Sequence, residues 1–395
     1  MKKVVLAYSG GLDTSYCVKY LTEELRMEVH AVLVDTGGFS KAEIQAVGER
    51  ANALGATSFQ AINAVESYYE NCVRYLVFGN MLRNNTYPLS VSAERMFQAL
   101  EVLRFAQSID AKYIAHGSTG AGNDQVRFDL VFHVLGENIE VITPIRDQQL
   151  SREEEIEYLK KHGIDWSWEK AKYSINQGLW GTSVGGAETL TSRHPLPEEA
   201  YPSQVEKTEP QTIELQFEQG ELVGLNGERA AHPVAAIQQL QALASPYGIG
   251  RDIHVGDTII GIKGRVGFEA AASLIIIKAH HLLEKHVLTK WQQYWKEQLA
   301  NWYGMLLHEG QYLEPVMRNI ELFLRDTQTT VNGSVFVKLH PYRFELEGID
   351  SPHDLMQAKF GKYGEMNSGW SGKDVRGFTK ILSNAAKIHQ VVNQG

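Results

Sequence analysis

The stretch AYSGGLDTS, residues 7–15, follows a short apolar run and precedes a helical pattern. The apolar run at 4–7 predicts a buried strand, and the pattern at 15–25 predicts a helix. Gly10 and Gly11 can take positive φ angles, so main-chain N–H groups can close around an anion, and the helix points its positive end at the same place. Three hydroxyl side chains of the stretch add donors. The stretch therefore predicts a phosphate-binding loop.

Asp13 adds a carboxylate to these donors, which suits a Mg²⁺ ion held on a pyrophosphate. The competing interpretation is an ordinary glycine turn in which Asp13 or Thr14 caps the helix. A bare Ser-Gly-Gly would favour the turn. The full nine-residue string between a strand and a helix favours the phosphate site.

The same alternation of short apolar runs and helical patterns continues outward from this loop. Further strands are predicted at 29–34, 113–115 and 141–142, and helices at 41–54 and 92–108. Short, unbroken apolar strands separated by helices indicate a parallel sheet that is covered on both faces. With right-handed crossovers, this pattern gives a doubly wound α/β nucleotide-binding domain over residues 1–165.

A different grouping of elements follows, and it predicts an α+β second domain over residues 166–365. Its predicted strands are 212–217, 258–262, 334–339 and 343–346, and its predicted helices are 232–244 and 284–307. A final amphipathic helix is predicted at about 373–392, within a C-terminal segment of residues 366–395. Such a helix can pack on its own domain or dock on another subunit.

Composition excludes several classes of protein. The 395 residues carry a formal net charge of −9, which argues against a generic basic grip on nucleic acid. Two cysteines are too few for a disulfide framework, and no apolar run approaches the roughly 18 residues of a membrane-spanning helix. We therefore expect a cytoplasmic protein that binds neither nucleic acid nor a membrane.

A second glycine-rich segment, HGSTGAGNDQVRF at residues 116–128, also follows a predicted strand and opens a helix. Open α/β sheets bind ligands at the carboxyl ends of their strands, so this segment predicts a second ligand loop. Asn123 and Arg127 are four residues apart and can face the same side of the helix start. The alternative makes Asn123 a helix cap and Asp124–Arg127 an exposed surface pair, and the first loop in the same domain favours the ligand site.

The first loop has neither the Gly-Lys-Ser/Thr of a Walker loop nor the GxGxxG of a dinucleotide fold. It resembles the pyrophosphate loop of the ATP pyrophosphatases, and Thr14 before Ser15 makes it similar to the argininosuccinate synthase family in particular. The resemblance implies an AMP-forming C–N ligase of arginine biosynthesis that uses ATP and Mg²⁺. It would join citrulline to L-aspartate through a citrulline-adenylate and release AMP and pyrophosphate. It also implies a homotetramer.

The resemblance extends over nearly the whole chain and carries site residues with it. It places ATP on Ala7, Tyr8, Ser9, Gly10, Gly11, Leu12, Asp13, Thr14, Ser15, Val34 and Gly117. It places the amino acid substrates on Tyr87, Ser92, Thr119, Asn123, Asp124, Arg127, Ser174 and Ser183. Asp13, Asp124 and Arg127 are the expected catalytic residues, with Asp13 as the metal ligand. Taken singly, Tyr87 and the three serines are more simply satisfied hydroxyls, and they gain weight only from the family.

Gly256 and Phe268 depart from the family pattern. The aligned family positions hold a glutamate, which matches the α-ammonium of citrulline, and a tyrosine. Leaving a buried ammonium unpaired costs several kcal/mol. Two explanations stay open: a neighbour such as Asp257 or His254 takes over, or the substrate is an Nα-acylated (acetyl or succinyl) citrulline. In a third departure, Ala121 replaces the lysine of many relatives.

Two other functions are compatible with the first loop alone. A tRNA-thiolating enzyme would need a catalytic cysteine pair and a basic RNA-binding surface, and the sequence has neither. A non-catalytic adenine-nucleotide sensor would leave the second loop and the second domain without a role. The ligase interpretation accounts for all of these features.

Overall fold

The computed structural model describes residues 1–166, 172–357, 363–365 and 368–394. Residue 366, where the C-terminal segment is expected to start, lies outside the described residues.

The N-terminal part is built on a five-stranded sheet whose strands all run parallel in the order β3-β2-β1-β4-β5. The strands are β1 Lys3–Ala7, β2 Glu28–Asp35, β3 Ser58–Asn63, β4 Tyr113–His116 and β5 Glu140–Ile142. This confirms the predicted doubly wound sheet. The strand order reverses between β1 and β4, so the carboxyl ends of these two strands border the crevice where such sheets bind ligands.

Helices cover both faces of this sheet because successive strand residues point to opposite sides. Val4 and Leu6 lie in one buried apolar cluster, whereas Val5 lies in the other. The helices are α1 Leu12–Glu23, α2 Lys41–Ala53, α3 Val65–Tyr68, α4 Arg74–Phe78, α5 Glu94–Ser108, α6 Asp124–Leu135, α7 Pro144–Gln148 and α8 Arg152–Lys161. A π-helical turn, Tyr69–Val73, joins α3 to α4.

The second part contains two antiparallel sheets, which confirms an α+β architecture. The four-stranded sheet has the order β11-β12-β7-β6, and its strands are β6 Ser174–Gly178, β7 Gly181–Gly185, β11 Arg251–Asp257 and β12 Lys263–Glu269. The five-stranded sheet has the order β10-β9-β8-β13-β14, with β8 Gln211–Glu218, β9 Glu221–Leu225, β10 Glu228–Arg229, β13 Gly333–His340 and β14 Arg343–Asp350.

Six further helices complete the described chain. They are α9 Pro233–Ala244, α10 Ala271–Val287, α11 Lys290–His308, α12 Pro315–Asp326, α13 Gly372–Leu382 and α14 Asn384–Asn393. The apolar residues of α10, such as Ile275 and Ile276, are fully buried and belong to the same cluster as Val335 and Val337 of β13. No residue of α13 or α14 is buried.

Three sequence predictions about these elements are wrong. Residues 258–262 form the turn between β11 and β12 rather than a strand, because the Thr258 hydroxyl accepts from the Ile262 amide and closes a tight loop. The helix predicted at 284–307 is two helices, because Thr289 caps a new helix with its side chain. The single C-terminal helix is also two, with the break at Ser383.

Candidate active site

The first glycine-rich loop connects β1 to α1 at the carboxyl edge of the parallel sheet. Gly10 has φ +77°, a conformation that favours glycine, and the Arg50 guanidinium donates to its carbonyl oxygen at 2.5 Å. The N-cap of α1 is Gly11, and no side chain caps this helix. The capping role considered for Asp13 or Thr14 is therefore wrong, and the first-turn N–H groups of α1 are available to an anion.

Hydroxyl groups surround this helix start. The Ser9 and Thr14 hydroxyl oxygens are 3.4 Å apart, and Thr14 donates to the Gly11 carbonyl at 3.3 Å. The buried hydroxyls of Tyr8 and Ser15 lie close to each other: burial raises the pKa of Tyr8, and its interaction with the Ser15 hydroxyl opposes that shift.

The two glycine-rich loops contact each other because β1 and β4 are neighbours. Ala7 pairs with His116 at the strand ends, so both loops leave the sheet at the same point. A Cβ atom at Gly117 would lie 3.3 Å from atoms of both Asp13 and Thr14. Glycine at this position therefore lets the second loop approach the start of α1 closely, as the family assignment of Gly117 to the ATP site requires.

A buried imidazole anchors the second loop. The His116 Nε2 atom lies 2.9 Å from Asp129 Oδ1, and Arg146 donates to the other oxygen of Asp129 at 2.6 Å. Burial raises the pKa of Asp129, but these two partners outweigh it and hold that pKa below its usual value. Gln125 donates from its amide to the carbonyl oxygens of Gly120 and Gly122. The loop backbone is thus fixed before any ligand binds.

Asp13 stands beside a second carboxyl group, Glu155 of α8. Burial raises the pKa of both carboxyls, and the charge of Asp13 raises that of Glu155 further. Among the described residues, no cluster of three or more histidine, cysteine, aspartate or glutamate side chains could hold a metal ion. Mg²⁺ usually needs one or two carboxylates together with substrate phosphates. Asp13 beside a phosphate loop fits that need.

Asp124, the first residue of α6, is held between two arginines. Its two carboxylate oxygens accept from Arg95 Nε at 2.9 Å and from Arg127 Nη1 at 3.2 Å. Burial raises the pKa of Asp124, but both guanidinium groups outweigh it and keep that pKa below its usual value. The side chain of Arg127 is only 4% exposed, whereas that of Asp124 is 43% exposed, so the interpretation as an exposed surface pair is wrong for the arginine.

Asn123 and Arg127 connect α6 to the second part of the chain. Asn123 is the N-cap residue of α6 but makes no side-chain cap, and its Oδ1 atom accepts instead from the Ile259 amide at 2.9 Å. Arg127 donates twice to the His308 carbonyl, at 2.9 and 3.2 Å. Asn123 thus occupies the N-cap position, as the alternative held, but its side chain does not cap the helix. Both side chains point toward the β11–β12 turn and the end of α11.

The segment predicted to bind citrulline is an irregular, buried loop. The Tyr87 hydroxyl accepts from the Val91 amide at 3.1 Å and lies 3.3 Å from the Ser90 hydroxyl. The Tyr87 ring packs against Phe268 and stacks on His254, with ring centroids 5.3 and 5.2 Å away. The Ser92 hydroxyl is buried without a partner among the described residues.

One face of the four-stranded sheet gathers the remaining predicted substrate residues. Register pairs Ser183 with both Asn176 and Phe268, so these three side chains share a face, and Ser174 lies on it two residues from Asn176. Ser183 and Phe268 are buried, whereas Ser174 is exposed. Arg95 donates to Asn176 at 3.3 Å and so joins this face to Asp124.

Two predicted site residues, and one residue that departs from the family pattern, lie at the edge of the candidate site. Val34 is buried near the carboxyl end of β2, the strand beside β1. Thr119 and Ala121 are exposed in the second loop. Arg95, which links Asp124, Glu94 and Asn176, was not among the predicted site residues. Its position three residues after Ser92, within a predicted helix, was the one sequence feature that could have indicated a role in the site.

The chain matches two family descriptions in succession. Residues 3–165 match "Arginosuccinate synthase N-terminal HUP domain", and residues 173–389 match "Arginosuccinate synthase C-terminal domain". The chain belongs to the argininosuccinate synthase family. It is therefore an enzyme of a ligase family that uses ATP, in arginine biosynthesis.

Curated relatives with the same family name match the chain over nearly its whole length. The argininosuccinate synthase of Methanocaldococcus jannaschii is 35% identical over 390 residues, covering 98% of both chains. Those of Xanthomonas campestris pv. campestris and Pyrococcus furiosus are 36% and 37% identical, covering 100% and 96% of this chain and 99% and 92% of their own. None of the helices in the described residues is long and apolar enough to cross a membrane.

Proposed function

We propose that this enzyme joins a citrulline substrate to L-aspartate through a citrulline-adenylate, releasing AMP and pyrophosphate. The observation that carries the proposal is the meeting of the two glycine-rich loops at the β1–β4 reversal, where Gly117 lies against Asp13 and Thr14. A nucleotide sensor would need the first loop alone. The ordered second loop, with Asn123 and Asp124 at its end, supports a second and third ligand beside the nucleotide.

In the first step, the ureido oxygen of citrulline attacks the α-phosphorus of ATP and pyrophosphate leaves. Residues 8–15 hold the leaving pyrophosphate through main-chain N–H groups, hydroxyls and the uncapped start of α1. Asp13 would hold Mg²⁺, which supplies charge neutralisation on the phosphates when bound. Ala7, Val34 and Gly117 line the rest of the nucleotide site in this proposal.

In the second step, the aspartate amine attacks the activated carbon and AMP leaves. Thr119, Asn123 and Asp124 are proposed to hold aspartate. Citrulline is proposed to be held by Asn123 and Arg127, together with the residues that the family resemblance implies: Tyr87, Ser92, Ser174 and Ser183. Arg95 keeps Asp124 oriented through its 2.9 Å hydrogen bond, so we assign it a positioning role. Holding both reactants in register contributes several kcal/mol, about 7–11 in favourable cases.

Isotope transfer tests this mechanism directly. Substrate labelled with ¹⁸O in its ureido group is incubated with Mg-ATP and aspartate, and AMP and pyrophosphate are then analysed by mass spectrometry. We expect the label in AMP and none in pyrophosphate, because the ureido oxygen bonds to the α-phosphorus. If the AMP is unlabelled, the proposed citrulline-adenylate is wrong. If no pyrophosphate is released with any citrulline substrate, the proposed ligase activity is wrong.

A specific observation favours the Nα-acylated substrate as a second candidate. Asp257 is exposed and pairs with Lys263 at 2.5 Å, so it does not replace the missing family glutamate. His254 is buried beside Gly256, and its pKa is lowered to about 4 by burial and by Arg83. A neutral imidazole does not balance an ammonium. Neither residue proposed as a substitute thus supplies the missing charge.

We also propose a cytoplasmic homotetramer with domains at 1–165, 166–365 and 366–395. Both cysteines are buried and free, as suits a reducing compartment. Phe378 and Ile381 of α13 and Val391 of α14 are apolar and more than 60% exposed, so they offer a surface to a partner subunit. We expect Ile381→Asp to lower the mass measured by light scattering, whereas Lys380→Asp on the polar face leaves it unchanged. A tetramer that survives Ile381→Asp contradicts this role for the helix.

A further inference from the structure

The pocket beside Gly256 and Phe268 contains basic side chains where the family has a glutamate. Arg83 and His254 contribute from two different segments, and His308 contributes from the end of α11. Arg83 Nε and His254 Nδ1 are buried and have no hydrogen-bond partner among the described residues. The His308 ring lies beside them, close to the Asp257 backbone. Because buried polar atoms normally find partners, the two unpartnered nitrogens next to each other indicate a ligand site.

His254 occupies the place that a side chain at residue 256 would take. A Cβ atom on Gly256 would lie 2.6 Å from His254 Nε2, which no real contact allows. The imidazole is 6% exposed and stacks on Tyr87, a residue assigned to the citrulline site. This position of His254 therefore requires a residue without a side chain at 256, and it places the imidazole beside a residue that is assigned to the citrulline site.

Arg83 supplies a positive charge to the same pocket. Its side chain is 13% exposed, and its nearest carboxylate, Glu309, is 3.9 Å away, which is too far for a hydrogen bond. Its charge lowers the pKa of both His254 and His308, so it lies close to both rings. The tight turn between Arg83 and Tyr87, closed by two backbone hydrogen bonds, fixes the arginine beside the citrulline segment.

His308 is held by Arg127. Arg127 Nη2 lies 3.5 Å from His308 Nδ1, and because arginine can only donate, Nδ1 accepts and Nε2 carries the proton. Burial, Arg127 and Arg83 lower the pKa of His308 to about 3, while the Asp257 backbone opposes them weakly. The imidazole is thus a neutral donor at pH 7.

Two of the three carboxylates near this pocket are already paired with other cations. Asp124 is held by Arg95 and Arg127, and Asp257 by Lys263. Glu309 faces Arg83. An α-ammonium would therefore meet a guanidinium and two neutral rings, whereas a carboxylate would meet the Arg83 guanidinium and the unpartnered Nδ1 atom of His254.

We propose that Arg83, His254 and His308 form a subsite for the terminal carboxylate of a dicarboxylic acyl group on the α-nitrogen of citrulline. The inference rests on the proposed ligation, and it names the acylated substrate class as anionic rather than acetyl. The acyl group removes the ammonium that the pocket cannot balance, and its carboxylate pairs with Arg83.

The test compares pyrophosphate release from Mg-ATP and aspartate with four substrates. They are L-citrulline, Nα-acetyl-L-citrulline, Nα-succinyl-L-citrulline and its neutral isostere Nα-succinamoyl-L-citrulline. We expect kcat/KM for the succinyl substrate to exceed that for the succinamoyl substrate at least tenfold, since the two differ only in charge. Equal values overturn the carboxylate subsite.

Variants then assign the effect to residues. We expect Arg83→Gln to remove the succinyl over succinamoyl preference, Arg83→Lys to restore part of it, and His254→Phe, which keeps the ring on Tyr87, to reduce it about threefold. Arg265→Gln is the matched control, because Arg265 lies on the opposite face of β12 and donates to the Glu188 and His194 carbonyls. A preference that survives Arg83→Gln overturns the assignment.

Two further outcomes separate this inference from the proposed function. If Arg83→Gln loses turnover with all four substrates, it is misfolded, and the wild-type ranking and His254→Phe decide instead. If L-citrulline is the best substrate, the subsite fails while the ligase stands. No pyrophosphate with any of the four rejects the ligase itself.

Discussion

The two sides of the candidate active site consist of different chemical groups. The nucleotide side consists of backbone, glycine and hydroxyl groups at the edge of a parallel sheet, with Gly10, Ser15 and Gly117 as examples. The opposite side consists of charged and aromatic side chains, such as Arg83 and Tyr87, against an antiparallel sheet.

This difference explains where the chain keeps the family pattern and where it departs. Main-chain N–H groups suit any phosphate and depend on glycines that cannot be replaced without strain. Side chains that pair with a substrate charge can be exchanged one at a time, as at Gly256. Under the proposed function, a change on one side of the site alters the substrate while the other side keeps its reaction.

The largest expected effect follows from breaking the junction between the two sides. Asp124→Ala leaves Arg95 and Arg127 buried beside each other without their carboxylate. Truncating one member of such a group costs about 2–5 kcal/mol, so we expect kcat/KM for aspartate to fall at least about a hundredfold. Steady-state pyrophosphate release measures it, with Glu137→Ala, exposed just beyond α6, as the control. A loss under fivefold would contradict the role of Asp124.

Glu94, which contacts Arg95 where the two sides of the site meet, gives a pH-dependent prediction. Glu94 is 1% exposed and accepts from Thr36 and Arg95, and a Cβ on Gly178 of β6 would touch its carboxylate. Burial raises its pKa to about 7, although Arg95 and Thr36 oppose the shift.

Since folded Glu94 keeps its proton to higher pH than the unfolded chain does, its contribution to stability is present below pH 4.5 and is lost as pH rises toward 7. The total is about 3 kcal/mol. We expect Glu94→Gln to reduce the change in the free energy of unfolding between pH 4.5 and pH 8 by about 2–3 kcal/mol. Urea titrations at several pH values measure this change. Glu101→Gln on the same helix is the control, and an unchanged slope rejects the shift.

Gly10→Ala tests whether the nucleotide side depends on backbone conformation. Gly10 has φ +77°, and an added Cβ would lie 3.0 Å from Val47. An alanine in this region costs about 1–2 kcal/mol, so we expect KM for ATP to rise about tenfold. Gly55→Ala is a matched control, because Gly55 has φ +97°, its added Cβ would meet only Thr22 Cγ2 at an ordinary 3.9 Å, and it lies away from the loop. We expect it to lower stability similarly without changing KM for ATP.

The smallest expected effect restores a carboxylate to the opposite side. Gly256→Glu alone collides with His254, so we combine it with His254→Ala. We expect the ratio of kcat/KM for L-citrulline to that for Nα-succinyl-L-citrulline to rise about fivefold over the wild-type ratio. His254→Ala alone is the control. A double variant whose ratio matches that control would show that residue 256 does not face the α-nitrogen.

The parallel sheet and both loops could be predicted because local pattern determines them. Residues 4–7 point alternately into two apolar clusters, as in a strand that is covered on both faces. The glycines that follow leave few conformations other than a tight loop. The turn at 258–262 could not, since its apolar residues read as a strand while the Thr258 side chain closes a loop. The partners of Arg95 depend on β6 and α6, which lie far from it in sequence.

The hydrogen bond from the Ile259 amide to Asn123 has a consequence for the order in which the protein is made. The two residues are 136 positions apart. At about 5–20 residues per second, a ribosome needs roughly 7–27 s to travel from one to the other. The sheet edge and both glycine-rich loops are thus complete in the nascent chain well before the turn that closes them arrives. The residues that face Asn123 from the second sheet are therefore synthesised only after both loops.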